Sequence, residues 1–365
     1  MSYFLILIWL CVCACVADYL KLKRPELVCG IKEERYSWLF AFIVFLPIII
    51  MAGTRGDIGD TWSYRITFLK SIPDTFLELL GYVSSVSKDK GFSLFSGFIK
   101  LIIGNHVDLY FCILAIIQGS ILVLILRKYS SSYILSVFLF VASTDYLSWM
   151  YNGIRQFTAV VIIFAATSLL LKRKYLPLIA VILLASTMHQ SALIMIPIIF
   201  IVQGRAWNKK TLLFILATLL AIFFVGSFTS FMDDALAETQ YKNVVSDFTE
   251  WEDDGTNPLR VLVYSIPAII SFFGRKKIQN SNNNLINICT NMSIISAGLY
   301  LVSMFTSGIF IGRLPIYCSL YSYILLPWEI ENIFNQKLKP YIYISMVTLY
   351  IVYYVYQTHF GWGLY

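Results

Sequence analysis

The sequence predicts an all-α, polytopic integral membrane protein. Two observations lead to that class. The 365 residues are 58% hydrophobic and 13% charged, whereas soluble domains carry about 25% charged residues. Apolar runs also alternate with short basic clusters, as in proteins whose cytoplasmic loops are marked by lysine and arginine. At about 20 residues per crossing, we expect a single transmembrane domain, residues 1–365, with about 12 transmembrane helices and one short re-entrant or interfacial helix.

The predicted crossings follow the apolar runs in order. Residues 92–104 are apolar, but at about 13 residues they are too short to cross, so they form the predicted re-entrant or interfacial helix. His189-Gln190-Ser191 interrupts residues 175–203, which predicts a helical hairpin, with one long tilted span as the alternative. The other crossings are residues 3–20, 37–53, 108–126, 132–150, 154–171, 211–229, 259–274, 285–305, 314–328 and 340–357.

The basic residues predict the orientation. The six loops proposed to be cytoplasmic hold 18 of the 28 lysines and arginines, which satisfies the positive-inside rule. Both termini then lie outside, as do long loops at residues 54–107 and 231–258, the second of them strongly acidic. Because the basic residues are scattered in small clusters, the net charge of +7 does not indicate nucleic-acid binding.

Cofactor signatures are missing from the sequence. No cysteine pair has C-x-x-C spacing, so neither a metal site nor a disulfide framework is predicted. The sequence also lacks a P-loop, a dinucleotide-binding fingerprint, H-E-x-x-H and a catalytic serine elbow. We therefore expect no metal and no nucleotide cofactor.

Three arginines stand beside glycines at the outer ends of predicted crossings: Arg55, Arg155 and Arg313. A charge in that setting is costly unless it faces a cavity or a partner. Arginine presents a fixed fork of donors that suits phosphate. We expect the three to converge on a pyrophosphate or an acidic sugar. The alternative is that each pairs with a nearby acid, such as Asp57, Asp60 or Asp145, and only locks helices together.

Polar stripes extend from two of these arginines. Asn152, Arg155 and Gln156 are spaced i, i+3, i+4 and share one helix face. Arg313 and Tyr317 form a similar pair on a later helix. Such stripes at the top of apolar helices are expected to face a bundle interior or a cavity.

Three further residues are candidates for the same site. Asp60 and Tyr64 are spaced i, i+4, so they share a face if the segment is helical. His189 follows an apolar run, and a histidine there can act as a general base or a phosphate partner. The alternative for His189 is a hydrogen bond that packs helices together.

Four short motifs connect these residues to a known family. They are RGDIGDTWSY at residues 55–64, NGIRQ at 152–156, MHQSAL at 188–193 and GRLPIY at 312–317. In this order and spacing they resemble the EpsG family, which is similar to the bacterial Wzy polymerases of O-antigen and capsule. The resemblance covers about residues 1–330 and implies a Wzy- or GT-C-like helical bundle.

The resemblance implies a glycosyltransferase that joins repeat units linked to undecaprenyl diphosphate. The reaction would take place at the outer face of the bacterial cytoplasmic (inner) membrane, with a flippase and a chain-length regulator as partners. The implied catalytic residues are Arg155, which stabilises the diphosphate, and His189 or Asp60 as the base. The implied substrate-binding residues are Arg55, Arg313, Tyr64, Asn152, Gln156 and Tyr317.

Two other functions remain open on the sequence. A flippase or transporter of lipid-linked oligosaccharide would also need arginines around a diphosphate, but it should show an internal repeat and polar residues at the membrane midplane. A membrane O-acyltransferase of surface glycan would need an arginine-histidine constellation, and only one histidine is well placed.

The orientation can be tested with a topology reporter fused after Ser191. The charge pattern predicts that this turn lies outside, so we expect the activity of a reporter that works only outside the cytoplasm. A second fusion after Lys174 is the matched control and should report the cytoplasm. A cytoplasmic signal from the Ser191 fusion would contradict the predicted hairpin.

Overall fold

The computed structural model describes residues 3–28, 30–236 and 255–364. Nearly all of its regular structure is helical, which confirms the all-α class apart from one hairpin. The chain divides into two compact units. The first comprises Met1–Leu193 with Gln336–Tyr365, and the second is Ile194–Asn335. The single transmembrane domain stays a prediction, and most of the predicted acidic loop at 231–258 lies outside the described residues.

The first unit begins with ten helices and one β-hairpin. The hairpin strands are β1 (Lys23–Val28) and β2 (Ile31–Tyr36), and π-helical turns occupy Thr67–Ser71 and Tyr146–Asn152. The helices are α1 (Phe4–Tyr19), α2 (Trp38–Gly53), α3 (Thr61–Ile66), α4 (Phe76–Ser85), α5 (Lys90–Ile103), α6 (Val107–Tyr129), α7 (Tyr133–Ala142), α8 (Ile154–Ala165), α9 (Thr167–Leu171) and α10 (Tyr175–Met188).

The second unit contains eight described helices, after which the chain returns to the first unit with one more. A 3-10 turn, Ile311–Arg313, precedes α17. The helices are α11 (Met195–Ile201), α12 (Lys209–Phe223), α13 (Val225–Leu236), α14 (Pro258–Phe273), α15 (Arg275–Asn280), α16 (Asn284–Met304), α17 (Ile316–Ser319), α18 (Ser322–Ile333) and, in the first unit, α19 (Lys339–Tyr356).

The predicted number of about 12 crossings is not confirmed. Among the described residues, α6 and α16 are long and apolar enough to cross a membrane unaided. The number rises to four if two bent pairs each count as one crossing: α7 with Tyr146–Asn152, bent by 71°, and α12 with α13, bent by 104°. Other predicted crossings correspond to shorter apolar helices. One reason is that the backbone breaks inside apolar runs, as at His189, which is extended where α10 ends.

Residues 21–36, which connect the first two predicted crossings, form an antiparallel β-hairpin rather than an irregular loop. Its register places Glu26 opposite Glu33, a like-charge pair that destabilises a ladder by itself. Arg127, at the end of α6, offsets this repulsion: it pairs with Glu26 at 2.5 Å, and its guanidinium lies 3.8 Å from the Trp38 ring centroid. Arg127 therefore anchors the hairpin to the end of α6.

The predicted outer loop at 54–107 is largely helical. It contains α3, α4 and α5, and α5 corresponds to the predicted short helix at 92–104. Leu79 of α4 packs directly on Gly97 of α5. Phe68 stacks on Tyr110 of α6 with ring centroids 4.3 Å apart. These contacts hold residues 54–107 against the N-terminal end of α6.

A buried lysine fastens the same segment. Lys100 of α5 donates to the carbonyl oxygens of Leu69 (3.4 Å) and Ile72 (2.5 Å), where the π-helical turn ends. It also pairs with Asp74 at 3.1 Å. A buried carbonyl without a donor is costly, so Lys100 completes the hydrogen bonding that this turn leaves open.

Replacing Lys100 by methionine should destabilise the protein. Lys100→Met keeps the apolar stem but removes every donor, so we expect a loss of about 2–4 kcal/mol. This loss is measured as a lower midpoint of thermal unfolding in detergent. Lys90→Met, on the same helix, is the control, because Lys90 is exposed and donates only to Ser84 among the described residues. Equal midpoints for the two variants would contradict the assigned role.

Candidate functional site

The first unit encloses a cavity of about 630 Å³, within the range of small-molecule sites, about 300–1,000 Å³. Three predicted site residues line it together: Asp60, Tyr64 and Arg155. The rest of the wall is rich in hydroxyl groups and rings. These come from Ser63, Thr67, Phe68, Tyr82, Ser85, Ser87, Phe92, Ser93, Ser96 and Tyr110, and Lys88 also lines the wall.

Arg155 stands in the first turn of α8, just after the π-helical turn Tyr146–Asn152. Its Nη1 donates to Asp89 Oδ2 at 2.8 Å. Tyr64 of α3 also hydrogen-bonds Arg155. Arg155 thus has an acidic partner, as the alternative interpretation proposed, but that partner is Asp89 rather than one of the acids named from the sequence. Arg155 nevertheless lines the cavity, and 36% of its side chain is exposed.

Asp89 is the main residue of the site that the sequence analysis missed. It precedes α5 with a left-handed backbone, φ 54°, a conformation that aspartate tolerates better than most residues. Its side chain is only 3% exposed. Burial raises the pKa of the Asp89 carboxyl, whereas Arg155, the backbone N–H of Gln190 and Lys88 act in the opposite direction. In the sequence, an acid between two lysines in a polar loop gives little sign of such burial.

Asn152 fixes the position of Asp60. Its Oδ1 accepts the backbone N–H of Asp60 at 3.1 Å. The approach requires a glycine at position 59, because a Cβ there would lie 2.8 Å from the same oxygen, and Gly59 also has a positive φ of 58°. The first two motifs are therefore joined, and Asp60 is held at the start of α3.

Gln156 and His189 meet at a turn rather than in the cavity wall. Gln156 Nε2 donates to Ser191 Oγ at 3.3 Å, and Ser191 Oγ lies 2.7 Å from His189 Nδ1. Together with the influence of the Gln190 N–H on Asp89, these contacts place the third motif directly behind Arg155. The substrate role of Gln156 and the catalytic role of His189 stay predictions.

Arg55 takes a different position from Arg155. It is buried, its Nη1 donates to the carbonyl oxygen of Met150, and its guanidinium faces the rings of Phe111 at 4.6 Å and Tyr151 at 5.2 Å. Burial lowers the pKa of Arg55 to about 10, so it remains charged at neutral pH. Arg55 is not among the residues that line the cavity, and its contact with a substrate stays a prediction.

The fourth motif belongs to the second unit. Arg313 ends the 3-10 turn Ile311–Arg313, and Tyr317 is buried in α17. Gly312 packs so closely that a Cβ there would lie 2.5 Å from Thr256 Oγ1. The expected meeting of Arg313 with the arginines of the first unit stays a prediction. Among the described residues, no group of three or more His, Cys, Asp or Glu side chains could hold a metal ion.

Comparison with known proteins agrees with the motifs. A family model described as the EpsG family matches residues 38–362. No curated protein and no solved structure matches the chain. The matched range covers nearly the whole sequence, including every residue that lines the cavity. This chain belongs to the EpsG family.

Proposed function

We propose that this protein is a polysaccharide polymerase that joins repeat units linked to undecaprenyl diphosphate into surface polysaccharide. Membership of the EpsG family supports a polymerase role. The observation that carries the proposal is the cavity, in which an acid, Asp60, and a cation, Arg155, share a wall with many hydroxyl groups and rings. Such a wall suits a sugar attached to a diphosphate.

The reaction needs one acid-base group and one cationic group. A hydroxyl of the acceptor glycan attacks the anomeric carbon of the donor glycan, and its proton passes to the Asp60 carboxylate. A new C–O bond forms as the bond to the diphosphate breaks, and undecaprenyl diphosphate leaves with the bonding electrons. Arg155 and Lys88 stabilise the negative charge that grows on it. The glycosyl diphosphate supplies the free energy, so no nucleotide is consumed.

Asp60 is a better candidate than His189 for the base. A general base must reach the proton that it removes, and Asp60 lines the cavity. His189 Nδ1 is engaged with Ser191. We therefore assign His189 to positioning the turn behind Arg155.

The reaction is proposed to take place at the outer face of the cytoplasmic membrane. The cavity lies beside the N-terminal end of α6, whereas Arg127 and Lys128 lie at the C-terminal end of this 23-residue helix. At about 1.5 Å per residue the two ends are roughly 34 Å apart, about the thickness of a bilayer core. If the basic end is cytoplasmic, the cavity opens outside. The proposal also includes about 12 membrane crossings and chain termini on the outer side. Its partners are a flippase and a chain-length regulator.

Changing Arg155 should shorten the polysaccharide. In a deletion host complemented with Arg155→Ala, we expect glycan capped at one repeat unit, with polymerisation slowed about 10²-fold or more. Arg155→Lys should also be impaired, because lysine lacks the donor fork. The readout is glycan length on a gel at matched expression. Arg65→Ala is the control, since Arg65 pairs with Asp57 and Asp108 and is not part of the cavity wall.

The outcomes of this experiment separate the competing functions. Full polymer length in both Arg155 variants would refute the diphosphate role. Complete absence of surface glycan after gene deletion would indicate a flippase, and unchanged chain length would fit an acyltransferase.

Asp60→Asn should abolish polymerisation while the protein still folds. Asparagine keeps the shape and the backbone contact to Asn152 but cannot take the proton, so we expect a rate lower by about 10²–10⁴-fold. Asp57→Asn, three residues earlier and exposed, is the matched control. His189→Gln should keep measurable polymer. A normal ladder from Asp60→Asn, or a complete loss only in His189→Gln, would reverse the assignment of the base.

A further inference from the structure

The ion pair behind the cavity has an unusual form. Arginine and carboxylate often pair through two parallel hydrogen bonds, but the bond from Arg155 Nη1 goes to Oδ2 of Asp89 and leaves Oδ1 outside it. No described residue donates a hydrogen bond to Asp89 Oδ1, although that atom is buried. Arg155 lines the cavity and Asp89 does not. The cation therefore faces the space for a ligand, and the anion sits behind it.

The surroundings of Asp89 contain several charged or titratable groups. Arg155 faces it from α8, Lys88 and Lys90 flank it in the chain, and the turn after α10 contributes the N–H of Gln190. Across the cavity wall, α3 and α4 carry Asp60, Tyr64 and Tyr82. Burial raises the pKa of Asp89, and Arg155, the Gln190 N–H and Lys88 oppose that rise. The charged carboxylate thus depends strongly on Arg155.

An anionic ligand on Arg155 would remove that support. Phosphate oxygens would take over the guanidinium donors, and their negative charge would lie near a buried carboxylate. Two like charges in a site of low polarity disfavour each other's ionised form. Asp89 Oδ1 is available to carry a proton, since no described group donates to it.

We propose that Asp89 is a built-in counter-anion that occupies Arg155 in the empty site and takes up one proton when a diphosphate group replaces it. This inference rests on the proposed function only in naming a diphosphate as the ligand. The exchange is balanced: the Nη1–Oδ2 ion pair opens, Nη1 donates to a phosphate oxygen, and one solvent proton binds the Asp89 carboxylate. No covalent bond changes.

The proposal fixes the sign of two effects. Removing the competing charge at position 89 should tighten anion binding, whereas a purely structural Asp89 would make the same substitution weaken it. Proton uptake also means that the affinity for the anion rises as pH falls. This rise is larger than the titration of the ligand itself would cause.

The test is calorimetry of the full-length protein in nanodiscs, titrated with inorganic pyrophosphate in buffers of different ionisation enthalpy. We expect the native protein to take up more protons on binding than Asp89→Asn does, and Asp89→Asn to bind on the order of tenfold more tightly at neutral pH. Asp108→Asn is the matched control: it removes the same charge from an 81% exposed acid that pairs with Arg65, and its proton uptake should equal that of the native protein.

Three results would overturn the inference. The first is that the native protein binds pyrophosphate but takes up no more protons than the titration of pyrophosphate itself accounts for. The second is that the native protein does not bind pyrophosphate. The third is that Asp89→Asn binds pyrophosphate more weakly than the native protein does. The first two need no variant, so a misfolded substitution cannot obscure them. This calorimetry does not depend on polymer formation. If the protein binds pyrophosphate with proton uptake but a separate glycan assay detects no polymer, this inference stands and the proposed function is rejected.

Discussion

A guanidinium group at the start of a buried apolar helix has to be compensated, and the contacts around the cavity follow from that constraint. Arg155 finds its compensation in Asp89, which precedes α5, and in Tyr64 of α3. These partners come from residues 54–107, whereas Arg155 belongs to α8. The pair therefore ties this segment to α8 beside the cavity. Arg155 also lines the cavity, while Asp89 does not.

Irregular backbone is what brings the motifs to this place. The π-helical turn Tyr146–Asn152 and the break at Gly153 start a new helix within the apolar region, so that Arg155 lies at its first turn. Buried non-helical backbone is tolerated only where its polar groups find partners. The Met150 carbonyl accepts from Arg55, and the Asn152 side chain accepts from Asp60. The first contact satisfies a carbonyl of the break, and the second holds Asp60 beside it.

Part of this arrangement could be read from the sequence. Composition and charge pattern indicate a helical membrane protein, and the motifs single out nine candidate residues, of which Asp60, Tyr64 and Arg155 line one cavity. The rest depends on long-range folding. Asp89 looks like a solvated loop residue until α5 and α8 bury it. The charged hairpin, residues 23–36, reads as a loop because its partner, Arg127, is about a hundred residues away. Hydropathy averaged over an apolar run also hides the bends that shorten its helices. Whether Arg313 joins the site depends on the second unit, and the motif order alone does not decide it.

The central claim is that this protein forms a glycosidic bond at the expense of a polyprenyl diphosphate. The most direct measurement uses the purified protein in liposomes with a polyprenyl-diphosphate-linked repeat unit and no nucleotide. The account predicts products of two or more repeat units, with one polyprenyl diphosphate released for each new linkage. Movement of the lipid-linked unit across the bilayer without any longer product would contradict it.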